Sequence, residues 1–256
     1  GPRAAASGFV NRTYESDTLD NYELGIKSQW FDNRLQVNSQ LFHMVWSDYQ
    51  TNISGDDNWY DHGTVNAGDA EVTGLELDIA LQASENLKIK ANVFFARSEF
   101  KDSIVDDIEA GMRMPNSPKY KGWLSINYDI PDLFGGDAWV YFETSYQAES
   151  WNEIYNIPSK NGDDDDDDDD DNDGDNDGVT EGLSKPYSVS SLSFGVDMPN
   201  DLSVTLLLDN VFDKATSTYV STGNNDDADA FGDSRWHNTQ SFERPRTFWV
   251  TLRKDF

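Results

Sequence analysis

Apolar residues in this chain return at every second position, segment after segment, and no helical repeat lasts beyond a turn or two. Leu202, Val204, Leu206 and Leu208 alternate with Ser203, Thr205, Leu207 and Asp209. Leu75, Leu77, Ile79 and Leu81 alternate with Glu76, Asp78, Ala80 and Gln82. Leu87 to Phe95 and Leu124 to Ile130 read the same way. Successive side chains on a strand point to opposite faces, so each segment has one apolar and one polar side. The chain is therefore expected to be all-β, with nine strands near 20–30, 34–50, 66–82, 87–100, 119–130, 137–150, 186–197, 202–212 and 242–256. The phase slips at 189–192 and 41–46, which bulges or interior-facing aromatics would explain.

The connections narrow the fold further. Those at 31–33, 83–86, 131–136 and 198–201 are short turns, and those at 51–65, 101–118, 151–185 and 213–241 are long and polar. Short and long alternate strictly, so in an antiparallel up-and-down meander one end carries only turns and the other only loops. That asymmetry belongs to a transmembrane β-barrel, with short periplasmic turns and longer extracellular loops. Mean hydropathy is -0.70, and no apolar run approaches the roughly 18 residues of a spanning helix. A barrel strand needs only about 9–11 residues of alternating polarity. On this reading Leu206 faces lipid, while Thr205 and the polar Glu23, Lys27, Gln36, Asn38, Glu76, Asp78, Lys88 and Lys90 face the lumen. Trp30, Trp46, Tyr49, Trp123, Trp139, Tyr141, Tyr146 and Trp249 stand near strand ends and are expected to form the girdle at the membrane interface.

The formal charge is -29, a field that repels phosphate backbones, so no nucleic-acid partner is expected. Cysteine is absent, which removes thiolate metal sites and a cysteine nucleophile. The three histidines, His43, His62 and His237, show no metal-binding spacing, and there is no Gly-x-Ser-x-Gly elbow. No enzyme is expected, and no cofactor is required. Nine consecutive aspartates, 163–171, open an Asp-rich insert at about 161–182. So dense a run of like charge is a solvated loop. Asp171, Asp173, Asp175 and Asp177, followed by Gly178, offer calcium the front half of a binding loop. The rear half is missing, since Ser184 stands where the twelfth-position Glu belongs. Either a calcium site or a plain hydrophilic insert follows.

Four motifs now carry a family resemblance: Asn21 to Ser28 with Phe31-Asp32-Asn33-Arg34-Leu35, Asn66-Ala67-Gly68 with Gly74-Leu75-Glu76, Asp209-Asn210-Val211-Phe212-Asp213, and Arg244-Pro245-Arg246-Thr247-Phe248. Their order and spacing resemble those of TonB-dependent outer-membrane receptors. The closing stretch up to Phe256 resembles the terminal strand of bacterial outer-membrane proteins, with Lys254 departing from the usual apolar residue. The resemblance implies the C-terminal nine strands or so of a 22-stranded barrel, spanning residues 1–256, with the N-terminal plug and earlier strands absent from this chain. It implies a location in the bacterial outer membrane and energised uptake of a scarce bulky nutrient, most often a ferric siderophore. The partners would be outer-membrane lipid and lipopolysaccharide, the protein's own plug and barrel strands, TonB acting through the plug, and a small-molecule substrate. Substrate contacts are expected from the loops, at Trp59, Tyr60, His62, Trp151, Tyr155, Arg235, Trp236 and His237, whose aromatic and polar groups suit a macrocycle or an aromatic chelate. A passive porin and a calcium-binding β-rich adhesion module are the alternatives.

Overall fold

A computed structural model describes residues 3–4, 13–53, 63–102, 108–133, 135–152, 183–199, 201–223 and 237–255. Nine strands form one antiparallel sheet: β3 (Thr18–Trp30), β4 (Leu35–Ile53), β5 (Gly63–Gln82), β6 (Leu87–Phe100), β7 (Tyr120–Leu133), β8 (Gly136–Gln147), β11 (Tyr187–Met198), β12 (Leu202–Asp209) and β15 (Thr247–Lys254). Each strand pairs with the next one in the sheet's sequence order, from β3 at one margin to β15 at the other. The meander is thus as expected. The sheet does not close on itself. Three short hairpins stand apart: β1 (Arg3–Ala4) with β2 (Thr13–Tyr14), β9 (Ser150–Trp151) with β10 (Leu183–Ser184), and β13 (Ser217–Gly223) with β14 (His237–Phe242). The expected strand at 242–256 therefore divides, its first residue closing a hairpin and the rest forming the sheet margin.

Register assigns the faces. Trp30, Leu35, Leu81, Ile89, Ile126, Phe142, Leu192, Leu208 and Phe248 stand opposite one another in turn, one from each strand. This is an unbroken apolar row across the whole sheet. One residue along, Gln29, Gln36, Ala80, Lys90, Ser125 and Glu143 form a polar row on the opposite face. Ser191 and Asp209 extend it through a hydrogen bond of 2.8 Å from Ser191 Oγ to Asp209 Oδ1. Leu24, Ile26 and Leu252 are 69, 66 and 69% exposed. A contiguous apolar sheet face left open in this way needs lipid or another apolar cover. All eight polar residues assigned to the lumen lie on the polar face, with Thr205, and Leu206 lies on the apolar one.

The girdle is where the sequence reading fails. Trp46, Trp123, Trp139, Tyr141 and Trp249 fall on the polar face by register, opposite Ala70, Asn92, Gly195, Ser193 and Leu207. Tyr49 also leaves the apolar side, packing edge-on against Trp46 and Phe100 at centroid distances of 4.8 and 5.5 Å. Only Trp30 and Tyr146 of the eight remain. The belt is built instead from Tyr22 beside His43, and from Phe95, Tyr120 and Tyr146, whose rings succeed one another at 6.1 and 5.6 Å. Proximity to a strand end does not fix a side chain's face; parity does. The phase slips have the same origin. Pairing is continuous through 187–198 and through 35–46, so Val189, Phe42, Met44 and Trp46 simply point to the polar side.

Local chemistry pins the register. The turn after β3 puts Phe31, Asp32 and Asn33 at φ 55, 54 and 67°, a region that Asn and Asp tolerate best among residues with a side chain. Arg34 then donates from Nε to Gln82 O at 3.1 Å and from Nη2 to Ala83 O at 2.6 Å, tying this turn to the next. Between Trp46 and Tyr49 the β4–β5 ladder bulges, with Asp48 at φ 57° and Gly68 at φ 129°. At the end of β12 a single side chain fastens a long excursion. Asn210, 3% exposed, donates through Nδ2 to Lys214 O at 3.0 Å and Arg244 O at 2.9 Å, and its Oδ1 accepts from Lys214 N at 3.1 Å.

Candidate functional site

The polar face is the surface on which a transported molecule or a lumenal domain would bear. Lys27, Asn38, Asp78 and Asn92 stand in register across β3 to β6. Asn92 Nδ2 donates to Asp78 Oδ1 at 2.6 Å and to Glu76 Oε1 at 3.4 Å. Beside them is a hollow of about 250 Å³ lined by Lys27, Asn38, Gln40, Glu76 and Asp78. Asn38 Oδ1 is buried there and has no hydrogen-bond partner among the described residues. A buried acceptor left unmatched is destabilising, so this patch is complementary to a group that donates hydrogen bonds.

Aromatic rings also lie on this face, two of them over glycines. A Cβ at Gly195 would collide with the Trp139 indole, and one at Gly74 with the Phe42 ring. Phe42 in turn stacks on Phe94, 5.6 Å away. The glycines let large rings lie flat across a neighbouring strand, which packs a wall that has no core of its own.

The long-loop end does have a core. Ala67, Ala70, Phe100, Ile108, Met112 and Met114 are buried together, with Trp46, Tyr49, Val72 and Trp151 packed against them. Trp46, Ala70, Val72 and Phe100 are polar-face positions by register, so the segment 108–114 folds onto the lumenal side. Phe100 N bonds Met112 O at 2.9 Å and Gly111 N bonds Phe100 O at 2.7 Å. Asn116 N reaches Trp151 O at 2.6 Å, and Asn116 Nδ2 reaches Asn152 O at 3.2 Å. Ser184 Oγ bonds Asn152 Oδ1 at 3.1 Å and Thr218 O at 3.4 Å. Three successive long connections are thereby linked into one platform. Just past β6, Lys101 pairs with Glu71 at 2.7 Å, and that hydrogen bond holds its ammonium above the usual lysine range.

Of the expected substrate contacts, Trp151 sits in this platform, half-buried against the cluster. His237 opens β14 opposite Gly223. Trp59, Tyr60, His62, Tyr155, Arg235 and Trp236 lie outside the described residues, as do Asp171, Asp173, Asp175 and Asp177. No group of three His, Asp or Glu among the described residues converges on a metal-sized position. The platform itself escaped the sequence reading. Its signal was the apolar set Ile108, Met112 and Met114 inside a loop otherwise polar enough to pass for solvent-facing.

The comparisons agree with this geometry. Residues 2–211 match the family model for the TonB dependent receptor-like β-barrel. The ferripyoverdine receptor of Pseudomonas aeruginosa is 22% identical over 243 residues, covering 88% of this chain and 26% of that protein. A probable TonB-dependent siderophore receptor of Acinetobacter baumannii, PiuA, is 25% identical over 146 residues, 53% of this chain and 19% of its own. The chain thus spans about a quarter or less of these relatives. The ferric yersiniabactin uptake receptor FyuA of Yersinia pestis superimposes with a TM-score of 0.70 at 19% identity, over 96% of this chain and 31% of that one. An open meander with one apolar and one polar face, folded loops at one end and tight turns at the other, is a piece of that barrel wall, and the chain belongs to the TonB-dependent receptors of the bacterial outer membrane.

Proposed function

We propose that the full-length protein imports a scarce, bulky iron chelate, a ferric siderophore, across the outer membrane. The observation that carries this reading is the family match together with relatives named for ferripyoverdine and siderophore reception. The polar face supports it, because its carboxylates and the unmatched Asn38 acceptor suit a lumenal plug through which TonB acts. The long loops supply the catching surface, with Trp59, Tyr60, His62, Trp151, Tyr155, Arg235, Trp236 and His237 as contacts, Trp151 being held against the buried cluster. In the Asp-rich insert at about 161–182, which follows β9 in the sequence, Asp171, Asp173, Asp175 and Asp177 would attract divalent cations, calcium foremost. The protein is a transporter and its polar face performs no chemistry on the cargo.

The test is uptake of radiolabelled iron chelates by iron-starved cells carrying the full-length gene, with and without TonB. Uptake of one chelate that disappears when TonB is removed supports the reading. Uptake that persists without TonB makes the protein a passive pore and overturns it.

A further inference from the structure

A line of aromatic rings crosses the polar face from the mouth toward the turns. Phe42 shares the polar side of β4 with Trp46 of the platform, and it stacks on Phe94 of β6 at 5.6 Å and 15°. Phe94 stands opposite Lys121, and the next polar-face residue of β7 toward the turn end is Trp123. Trp123 stands opposite Ser145, below which β8 presents Glu143, Tyr141 and Trp139 in turn. Phe94, Trp123, Tyr141 and Trp139 are each half-buried, held against the wall with surface left over. Successive positions on one face of a strand are about 7 Å apart, and Glu143 fills the one wider step.

The polar groups between the rings answer one another. Tyr141 Oη donates to Glu143 Oε2 at 3.0 Å, and Asn127 Nδ2 donates to Asp129 Oδ1 at 2.8 Å. Among the described residues of β6 to β8, no buried side-chain nitrogen or oxygen lacks a partner, in contrast to Asn38 on β4. The polar face thus has two zones. The patch around Asn38 on β3 to β5 offers directional bonds that hold a fixed partner. The line on β6 to β8 offers ring faces, whose attraction tolerates many offsets, so a molecule passes from one ring to the next without breaking hydrogen bonds.

We propose that this line is the transit path of the cargo. Once the plug yields, a bulky chelate with an apolar or aromatic flank moves from the mouth to the periplasmic turns across Phe94, Trp123, Tyr141 and Trp139. This rests on siderophore import, and it specifies where in the lumen import runs and which chelates it favours. Contact with successive rings offsets the cost of confining a large solute. The rings therefore raise the rate of passage and leave capture at the loops unchanged.

The experiment uses the full-length receptor in iron-starved cells. Four radiolabelled probes span the ligand chemistries: ferrioxamine B, ferric enterobactin, ferripyoverdine and ferric citrate. Equilibrium binding is measured in cells lacking TonB, and the maximal uptake rate in cells that have it. Trp123→Asn combined with Tyr141→Asn removes two rings and leaves Phe94 on Phe42 and Trp139 on Gly195. Trp123→Phe combined with Tyr141→Phe keeps a ring at each position. Leu207→Asn, on the polar face of β12 away from the line, is the control. Heat-modifiable mobility on gels confirms that each variant is folded, and Trp123→Asn alone serves if the double Asn variant is not. The double Asn variant should bind an imported chelate with unchanged Kd and carry it about tenfold more slowly. The Phe and Leu207 variants should keep the wild-type rate. An unchanged rate in the folded Asn variant overturns the path alone, as does an equal loss in the Leu207 variant. Weakened binding or new sensitivity to vancomycin also overturns it, because the rings would then hold the loops or the plug. Import of ferric citrate alone overturns it too, since that chelate has no apolar flank. Import of none of the four by the wild type overturns siderophore uptake itself, and the path with it.

Discussion

The indole of Trp139 occupies the space that a side chain on its register partner, Gly195, would fill. The pair joins β8 to β11 on the polar face, so the ring itself braces the two strands. Gly195→Val should therefore destabilise the wall by about 1–3 kcal/mol through overpacking. Urea unfolding of the assembled receptor measures this. Adding Trp139→Ala should recover part of the loss, whereas a Gly195 variant as stable as wild type would mean that the ring moves aside at no cost.

Leu206 and Thr205 are adjacent, and register puts them on opposite faces. A lysine on the lipid side near the midplane costs about 2–4 kcal/mol, and one on the lumen side costs little. Leu206→Lys should thus cripple assembly into the outer membrane while Thr205→Lys leaves it intact. Surface protease protection and heat-modifiable mobility read the difference. Equal outcomes would reverse the assignment of the two faces.

Phe100 is fully buried in the cluster at the long-loop end. Truncation to Ala removes about 3–5 kcal/mol of packing, all of it local to the platform. Limited proteolysis of Phe100→Ala should cut within 101–119 while the strands stay protected and the barrel still assembles. Loss of the whole barrel would show that the cluster also supports the wall.

Asn210 makes three side-chain hydrogen bonds at the base of the excursion between β12 and β15. Its φ of 48° is left-handed, so Asn210→Gly removes the side chain and keeps the backbone at ease. The Lys214 and Arg244 carbonyls are then left to water, so each lost bond costs its net worth of about 0.5–1.5 kcal/mol. Assembled yield at elevated temperature should fall. An unchanged yield would mean that the ladder alone fixes β15.

Much of this architecture was legible because barrel strands obey a two-residue rule that survives without tertiary context. Leu202 to Leu208 and Leu75 to Leu81 announce their faces, and the turn at Phe31–Asn33 its end. The recognised motifs turn out to be the fastenings: Asn66 Nδ2 bonds Glu15 O and Asp48 O, Gly74 makes room for Phe42, and Asn210 meets Arg244. What failed was aromatic placement. Trp123 and Trp139 sit near strand ends like girdle residues, yet both fall on the polar face, where Trp139 covers the bare glycine Gly195 and Trp123 stands opposite Asn92. The mouth cluster was hidden because Ile108, Met112 and Met114 follow no single period; their partners Ala70 and Phe100 come together through the register of β5 on β6.

The Asn210 fastening holds Lys214 and Arg244 at once, and Asp213 Oδ1 accepts from Arg246 N at 3.0 Å beside it. Leu208 consequently meets Phe248 whatever happens farther along the chain between them. The outer hairpin can therefore change in size and chemistry while the greasy belt beneath stays in alignment. A receptor built this way can change what it greets without relearning how to sit in its membrane.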